Sequence, residues 1–468
     1  MYIQQLYTGC LSEAAYYIES EGEAAIIDPL RDIEDYLVLA RSRKATIKYI
    51  FETHFHADFV SGHLDLAHAS GAPIVYGPET ETSFPIYRAK DGEIFKLGSL
   101  QIEVLHTPGH TLESSCYLLR VANGSPYAIF TGDTLFVGDV GRPDLSSGNL
   151  SQNELASMLY DSLQKKITPL PDEVILYPAH GAGSSCGKNL GADTYSTLGE
   201  ERKTNYALRA ASKEEFIKAV TDGLHTPPQY FAVNARINKE GYESLDEIME
   251  NGLKPLSLAA FKEKLQDDNT ICLDTRPSTE FTEGFVTGAV SIGLDGRFAE
   301  WAGSLLPFDK PFVLVTDPGK EKETVVRLAR VGFAQMAGYL DGGFETWKNS
   351  GEPIDLIVNI DADEFAMDLP IDPKLVVVDV RRETEFADGH VPTARNIPLE
   401  TLTDPGTMAE FNYTDNIHIH CASGYRSVIA ASLFKRQCIH NLHNILGGWE
   451  VMKKLEGLEI VKEKSVLN

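Results

Sequence analysis

The stretch THFHADFVSGH, residues 53–63, sets His54, His56 and Asp58 at alternate positions and follows them with Phe59. It comes straight after IKYIF (47–51), a β-branched and aromatic run that reads as a strand. Other short runs end in the same way: EAAIIDP (23–29), IEVLHTPGH (102–110), YAIFTGD (127–133) and VILYPAHG (174–181). Each delivers a histidine or aspartate at its C-terminal end, an arrangement that builds a site from loops at one edge of a sheet sandwich. The candidate ligands are His54, His56, Asp58, His110, Asp133 and His180. A single histidine after a strand says little. An HxHxD cluster followed by three more such strand ends points to a metal centre.

The rest of the composition narrows the function. A chain of 468 residues is too long for one core and suits two to four domains. With 42 Lys and Arg against 68 Asp and Glu, the formal net charge is −26, which repels phosphate backbones and anionic lipid surfaces. Nucleic acid and membranes are therefore excluded as main partners, and an anionic substrate needs a local basic pocket. The six cysteines (10, 116, 186, 272, 421 and 438) form no CxxC pair and no disulfide framework. MYIQQLYTGCLSEAAYYIES lacks the basic and apolar regions of a signal peptide, and no apolar run approaches the ~18 residues of a membrane span. The expected location is a reducing cytoplasm.

The C-terminal half repeats itself. ICLDTRPSTEFTEGFVTGAVSIGL (271–294) lies over VVVDVRRETEFADGHVPTARNIPL (376–399) without a gap, at an offset of 105, with 10 of 24 positions identical. DGGFETWK (341–348) lies over LGGWEVMK (446–453) at the same offset. A period that long marks tandem domains, not solenoid repeats. The expected domains are residues 1–250, 255–352 and 360–465. Strands such as VVVDV and FVLVT alternate with helical patterns such as SVIAASLFKRQ, so each repeat reads as α/β with a parallel sheet.

In the last repeat, IHIHCASGYRSVIAAS (417–432) reads as strand, tight loop and helix. Cys421 falls just after the strand, within a ring of backbone N–H groups and at the positive end of a helix, both of which favour a thiolate. Gly424 permits the curl, Ser423 and Ser427 are placed to donate inward, and Arg426 stands at the helix start. The middle repeat has TDPGKEKE (316–323) instead, which places Asp317 where Cys421 stands, and Pro318 removes an N–H from the loop. That copy is expected to be catalytically silent.

These motifs carry resemblances. The first block, through its full HxHxD…H…D…H series, resembles the metallo-β-lactamase fold in its glyoxalase II-like branch. The C-x4-R loop, the DVRRETEFADGHVPTARNIP stretch and GGW (447–449) resemble rhodanese; cysteine phosphatases use C-x5-R. The resemblances imply a multidomain protein of α/β and α+β class: a metallo-β-lactamase αββα sandwich followed by two tandem α/β rhodanese-like domains, the first inactive. Two-metal members carry a histidine directly after the HxHxD aspartate, where this chain has Phe59. A single-metal site remains, as in the persulfide dioxygenases, whose iron ligands map onto His54, His110 and Asp133. His56, Asp58 and His180 then orient ligands, bind water or hold an alternative metal. Two histidines and a carboxylate suit Fe(II) with open positions and equally suit catalytic zinc. Arg142 in GDVGRPDL (138–145) and Lys188 in HGAGSSCGKNLGAD (180–193) are the expected contacts to the substrate's carrier. Cys186 lies at the rim, with a sulfur relay as the lesser reading, and Cys10 is unassigned.

Together the resemblances imply a persulfide dioxygenase–rhodanese fusion for sulfide detoxification. It would oxidise a thiol persulfide of glutathione, coenzyme A or a similar carrier with O2 to sulfite. Cys421 and Arg426 would move sulfane sulfur between thiosulfate, sulfite and thiols. The resemblance also implies a homo-oligomer. The alternative is a zinc thioester hydrolase of the glyoxalase II type fused to a sulfurtransferase.

Overall fold

The computed structural model describes residues 1–145, 150–224, 226–412 and 414–463. The chain divides into two compact units: Met1–Leu245 with Ala329–Gly332, and the remainder from Asp246. Among the described residues no helix is long and apolar enough to cross a membrane.

The first unit is built from two six-stranded sheets. One runs in chain order: β1 (Tyr2–Thr8), β2 (Glu13–Ser20), β3 (Glu23–Ile27), β4 (Thr46–Phe51), β5 (Ile74–Tyr76) and β6 (Tyr87–Arg88). The other is formed by β7 (Ile94–Leu97), β8 (Leu100–His106), β9 (Ser115–Arg120), β10 (Pro126–Gly132), β11 (Ile175–Pro178) and β12 (Ser196–Thr197). Tyr16, Phe51, Phe95, Tyr117 and Phe130 fill one core between the sheets. Helices α1 (Glu34–Arg43) and α2 (His63–Ser70) cover the outer face of the first sheet through Tyr36, Ala40 and Leu66. On the second sheet, α3 (Gln152–Ser162) packs Ala156 and Leu159 against Leu118 and Ile129. This is the expected αββα sandwich. Central strands such as β2 are buried on both faces, so they read as continuous apolar runs without alternation. The start of α3 is written in the sequence: Ser151 accepts from the Glu154 N–H while the Glu154 carboxylate accepts from the Ser151 N–H, a reciprocal capping box.

The second unit holds two five-stranded sheets of the same topology. In the first, Pro255–Leu256, Met336–Leu340, Phe312–Val315, Ile271–Asp274 and Val290–Ser291 lie side by side, each pair parallel. In the second, the order is Val358–Ile360, Leu442–Ile445, Asn416–His420, Leu375–Asp379 and Arg395–Asn396, again all parallel. The identities between the repeats have a physical cause. Arg276 grips Asp274 at 2.6 Å and donates to the Gly284 carbonyl, with its guanidinium over the Phe344 ring. Arg381 grips Asp379 at 2.6 Å and donates to the Gly389 carbonyl, over Trp449. Burying the ion pair is tolerable because the carboxylate, a backbone carbonyl and an aromatic face all meet the guanidinium. The expected end of the last domain at 465 lies outside the described residues.

Candidate metal centre and sulfur site

The loop after β4 and the ends of β8, β10 and β11 converge at one edge of the two sheets, as the sequence implies. His54, His110 and Asp133 bring one ligand atom each to within 4.8 Å of one another, all buried. The Asp133 Oδ2 lies 3.4 Å from the His110 Nε2 and 3.8 Å from the His54 Nε2. Each imidazole is turned by a bond on its other nitrogen. The His54 Nδ1 meets the Thr53 hydroxyl at 3.0 Å, and that hydroxyl donates to Asp28 at 2.8 Å, so Nδ1 carries the proton and Nε2 keeps its lone pair. The His110 Nδ1 donates to the Arg142 carbonyl at 2.9 Å with the same result. Burial, with His56, His110 and His180 nearby, pushes the His54 pKa well down, which keeps it in the neutral form that a metal requires.

A second set faces the other side of Asp133. His56, Asp58 and His180 also bring ligand atoms to within 4.8 Å of one another, as do Asp133, His180 and Cys186. The His180 Nε2 sits 3.4 Å from Asp58 and 3.5 Å from the Asp133 Oδ1, so Asp133 gives one oxygen to each set. Phe59 adds no donor. Its ring is fully buried and stacks on His56 at 4.3 Å, and its carbonyl is held by Asn238. The Cys186 sulfur stands in this set, not at the rim. Burial and the carboxylates of Asp58 and Asp133 push its thiol well up.

Behind the ligands lies a buried polar network that the sequence reading passed over. The His56 Nε2 is 3.1 Å from Asp28 and 3.4 Å from Glu52, and His63 meets the other Glu52 oxygen at 3.2 Å. Burial opposes a charge on His56, but Asp28 and Glu52 overcome it and raise its pKa well above the usual range. Asp28 was within reach of sequence, since it ends the EAAIID run just as Asp133 ends YAIFTGD.

The two expected substrate-carrier contacts are placed differently. Arg142 is buried beside the site, but its Nε and Nη2 grip Asp144 at 2.7 and 2.8 Å, its Nη1 donates to the Ser185 carbonyl at 3.3 Å, and its own carbonyl is what positions His110. Lys188 is not brought to the ligands: its ammonium donates to the Ala219 and Asp222 carbonyls at 3.4 and 2.5 Å. Gly141 was not singled out either, yet a Cβ there would fall 1.9 Å from the Asp133 carbonyl and 2.9 Å from the His110 Nδ1.

The donor set fits a metal ion. Both carboxylate oxygens of Asp133, the His180 Nε2 and the Asp58 Oδ1 are buried without a hydrogen-bond partner among the described residues. Each such acceptor costs about 1–3 kcal/mol unless something meets it, and a cation meets several at once. Nitrogen and carboxylate donors of this kind suit Fe(II) or Zn(II).

In the last repeat, Cys421 follows its strand at the floor of a cavity of about 730 Å³. Its Sγ accepts the Gly424 N–H at 3.1 Å and lies 3.6 Å from the Ser427 hydroxyl. Gly424 has φ +116°, which a side chain would strain. Ser427 donates to Asn444 at 2.7 Å, and Ser423 lines the cavity. Arg426 also lines it, but its guanidinium is paired with both Glu385 oxygens, at 2.7 and 2.8 Å.

The middle repeat requires a correction of one residue. Thr275 takes the Val315 carbonyl where Val380 takes that of His420, and Gly343 approaches the Thr316 carbonyl where Gly448 approaches that of Cys421. Thr316, not Asp317, therefore occupies the place of Cys421; the strand register keeps the 105-residue offset of the repeats, from which the expected Asp317 departs by one. Threonine carries no thiol either, so no persulfide can form at this position.

Comparison with known proteins gives a consistent picture. The family model described as Metallo-beta-lactamase superfamily matches residues 8–180, and the Rhodanese-like domain model matches 257–350 and 361–455. A probable hydroxyacylglutathione hydrolase of Schizosaccharomyces pombe is 36% identical over 160 residues, 33% of this chain. The chain spans 58% of that relative's length. A hydroxyacylglutathione hydrolase of Francisella tularensis subsp. novicida is 30% identical over 230 residues, covering 44% of this chain and 86% of the relative. A solved metallo-beta-lactamase structure from Staphylococcus aureus is 33% identical with a TM-score of 0.66, covering 72% of this chain and 98% of that one.

Proposed function

We propose, for a chain that belongs to the metallo-β-lactamase superfamily and continues into two rhodanese-like domains, that it is a persulfide dioxygenase joined to a sulfurtransferase. The observation that carries this reading is the asymmetry of the centre. Each set offers two imidazoles and a carboxylate, but beside the second Phe59 stacks on His56 where a further ligand would serve a second metal.

The overall reaction is R–S–S⁻ + O2 + H2O → R–SH + SO3²⁻ + H⁺, with R a low-molecular-weight carrier such as glutathione or coenzyme A. Fe(II) held by His54, His110 and Asp133 would supply a meeting point for O2 and the persulfide's terminal sulfur. The chain's own part is orientation and exclusion. Thr53 with Asp28, and the Arg142 carbonyl, fix the two imidazoles, and Asp133 balances charge between the two sets. Phe59 and the stacked His56 wall off the far side with an apolar ring. Cys421 accepts and returns a sulfane sulfur, which couples thiosulfate and sulfite to the thiol pool. The proposal extends to cytoplasmic residence, in keeping with six unpaired cysteines, and to a homo-oligomer.

A second reading has its own support. The curated relatives described above are named as hydroxyacylglutathione hydrolases, and the His56, Asp58 and His180 set offers donors for zinc. One assay separates the two. Anaerobically iron-loaded protein is given glutathione persulfide, and oxygen uptake and sulfite are measured. Uptake of one O2 per persulfide, lost in His54→Ala, is the expected result. Absence of uptake with iron confirmed bound, together with zinc-dependent thioester hydrolysis, would replace the first reading with the second.

A further inference from the structure

The cavity above Cys421 is not made by the last repeat alone. Thr282, Asp295 and Trp301 come from the silent copy and face Arg382 and Ser423 of the active one. The two copies are closely joined here. The Tyr425 hydroxyl of the active loop donates to the Gly293 carbonyl at 2.7 Å, and a Cβ on Gly296 would fall 2.3 Å from the Tyr425 ring. Side-chain amides continue the join inward. Asn359 donates to Thr282 at 2.9 Å, Asn444 donates to Asn359 at 2.8 Å, and Ser427 donates to Asn444 at 2.7 Å, ending beside the Cys421 sulfur. The ladder sets the middle of this line, because Asn359 and Asn444 are register partners on neighbouring parallel strands.

We propose that Thr282 of the silent copy is a positioning residue for sulfur transfer, acting on Cys421 through Asn359, Asn444 and Ser427. The proposal rests on the reading of Cys421 as a sulfur carrier and adds what holds that sulfur in place. Direction is the first argument. Thr282 has one hydroxyl proton, and it goes to the Thr279 carbonyl at 2.9 Å. Its oxygen can therefore only accept from Asn359, which must present its amide NH2. The Asn359 oxygen then faces the Asn444 NH2, and the Asn444 oxygen takes the Ser427 proton. Each link is oriented by the one before it, and the first lies in the silent copy. Ser427 consequently turns a lone pair toward the Cys421 sulfur, where the sequence suggested an inward donor. The thiol donates to that oxygen and accepts the Gly424 N–H, so two contacts hold the sulfur at the cavity floor.

The repeat itself is the second argument. At the 105-residue offset Thr282 lies over Ala387, so the fold shared by the two copies needs no hydroxyl at this place. Thr282 is nonetheless buried with its oxygen spent on the chain. Were the chain released, Ser427 would be free to turn, since the Gly424 carbonyl at 3.0 Å is a second acceptor for its proton. A nucleophile without its fixed partner spends less time aimed at the incoming sulfur. The step concerned is Cys421–SH + S2O3²⁻ → Cys421–S–S⁻ + SO3²⁻ + H⁺. The bond from Sγ to the outer sulfur forms, the S–S bond of thiosulfate breaks, its electron pair leaves with sulfite, and the thiol proton passes to solvent.

Full-length protein is mixed with thiosulfate, and the gain of one sulfur on Cys421 is followed by mass in a single turnover. Thr282→Val, nearly the same shape without the hydroxyl, is expected to load about threefold more slowly at saturating thiosulfate, with the half-saturating concentration unchanged. Thr282→Ser keeps the hydroxyl and is expected to load at the wild-type rate. Asn359 is the exposed link, so Asn359→Ala cuts the chain without touching the core and should match Thr282→Val. In a Ser427→Ala background Thr282→Val should cost nothing further, whereas a general fold defect would slow both backgrounds alike. Wild-type loading by Thr282→Val and Asn359→Ala overturns the proposal, as does an undiminished loss in the Ser427→Ala background. A wild-type protein that takes no sulfur onto Cys421 overturns the carrier reading beneath it, and the role of Thr282 with it.

Discussion

Replacing Gly141 with Ala adds one methyl group to the back of the metal centre. The new Cβ would lie 1.9 Å from the Asp133 carbonyl oxygen, about 1 Å inside the 3.0 Å below which such contacts do not occur. It would also lie 2.9 Å from the His110 Nδ1, the atom that donates to the Arg142 carbonyl one residue on. The backbone at 141 must therefore withdraw, taking the Arg142 carbonyl with it, or push Asp133 toward the ligands. In the first case the His110 imidazole loses its fixed tautomer and in the second the ligand spacing changes, and the loss of such an outer partner costs metal affinity about 10–100-fold. Overpacking of this kind also costs about 1–3 kcal/mol of stability, or roughly 2–12 °C in the Tm of a unit this size. Chelator competition, followed by metal content, measures the first effect, and thermal melts of metal-free protein measure the second. If Gly141→Ala is folded and keeps wild-type affinity for iron and zinc, the argument that Gly141 is there to let the ligands approach is wrong.

Phe59→His returns a donor beside the second set, so zinc-loaded protein should rise from one to two metals per chain by elemental analysis; an unchanged count would contradict the role given to Phe59. Cys421→Ser should abolish sulfur transfer and leave persulfide-dependent oxygen uptake, and loss of both would mean the sites are not separate. Asn444→Ala removes the acceptor that fixes Ser427 beside the sulfur, worth about tenfold in single-turnover loading of Cys421, with a lowered Tm because Ser427 and Asn359 each lose a buried partner. Burial, with His443 beside it, pushes His418 down to about 4 from 6.5. The unfolded chain therefore takes up a proton that the folded one refuses, and stability falls as pH drops from 6.5 toward 4. Melts should report about 1–2 kcal/mol lost between about pH 7 and about pH 5, after allowing for solvent screening, and His418→Phe should flatten that slope.

Much of the centre was legible because the chemistry sits on strand ends. His54, His110, Asp133 and His180 each follow a β-branched or aromatic run, so topology had to bring them to one edge. The supporting groups were harder. Glu52 and His63 flank the HxHxD loop as single polar residues, and nothing local says that they turn inward to one another and to His56. Lys188 misled because a long flexible stem can point either way, and here helix-end carbonyls took its ammonium. The repeat was legible down to Asp274 and Asp379, whose fork with the following arginine demands identity. The pocket wall was not. Tyr425 and Gly293 are 132 residues apart, and no pattern within either copy announces that they touch. The misplacement of Asp317 had another cause: the two loops share no residue to anchor them, and only the 105-residue offset carried in from the flanking strands lays Thr316 against Cys421.

The paired forks at Asp274–Arg276 and Asp379–Arg381 also bear on how the chain avoids misassembly. Two neighbouring domains with the same strand order and ten identities in 24 aligned positions invite exchange of segments during folding, a recurrent failure of tandem repeats. The lock is the same in both copies, but its lid is not: Arg276 lies under a phenyl ring and Arg381 under a larger indole. A segment carrying Trp449 would overfill the first copy, and one carrying Phe344 would leave the second loose. The mismatch in ring size is expected to let each copy discriminate against its neighbour's ring-bearing helix while the chain is still choosing partners.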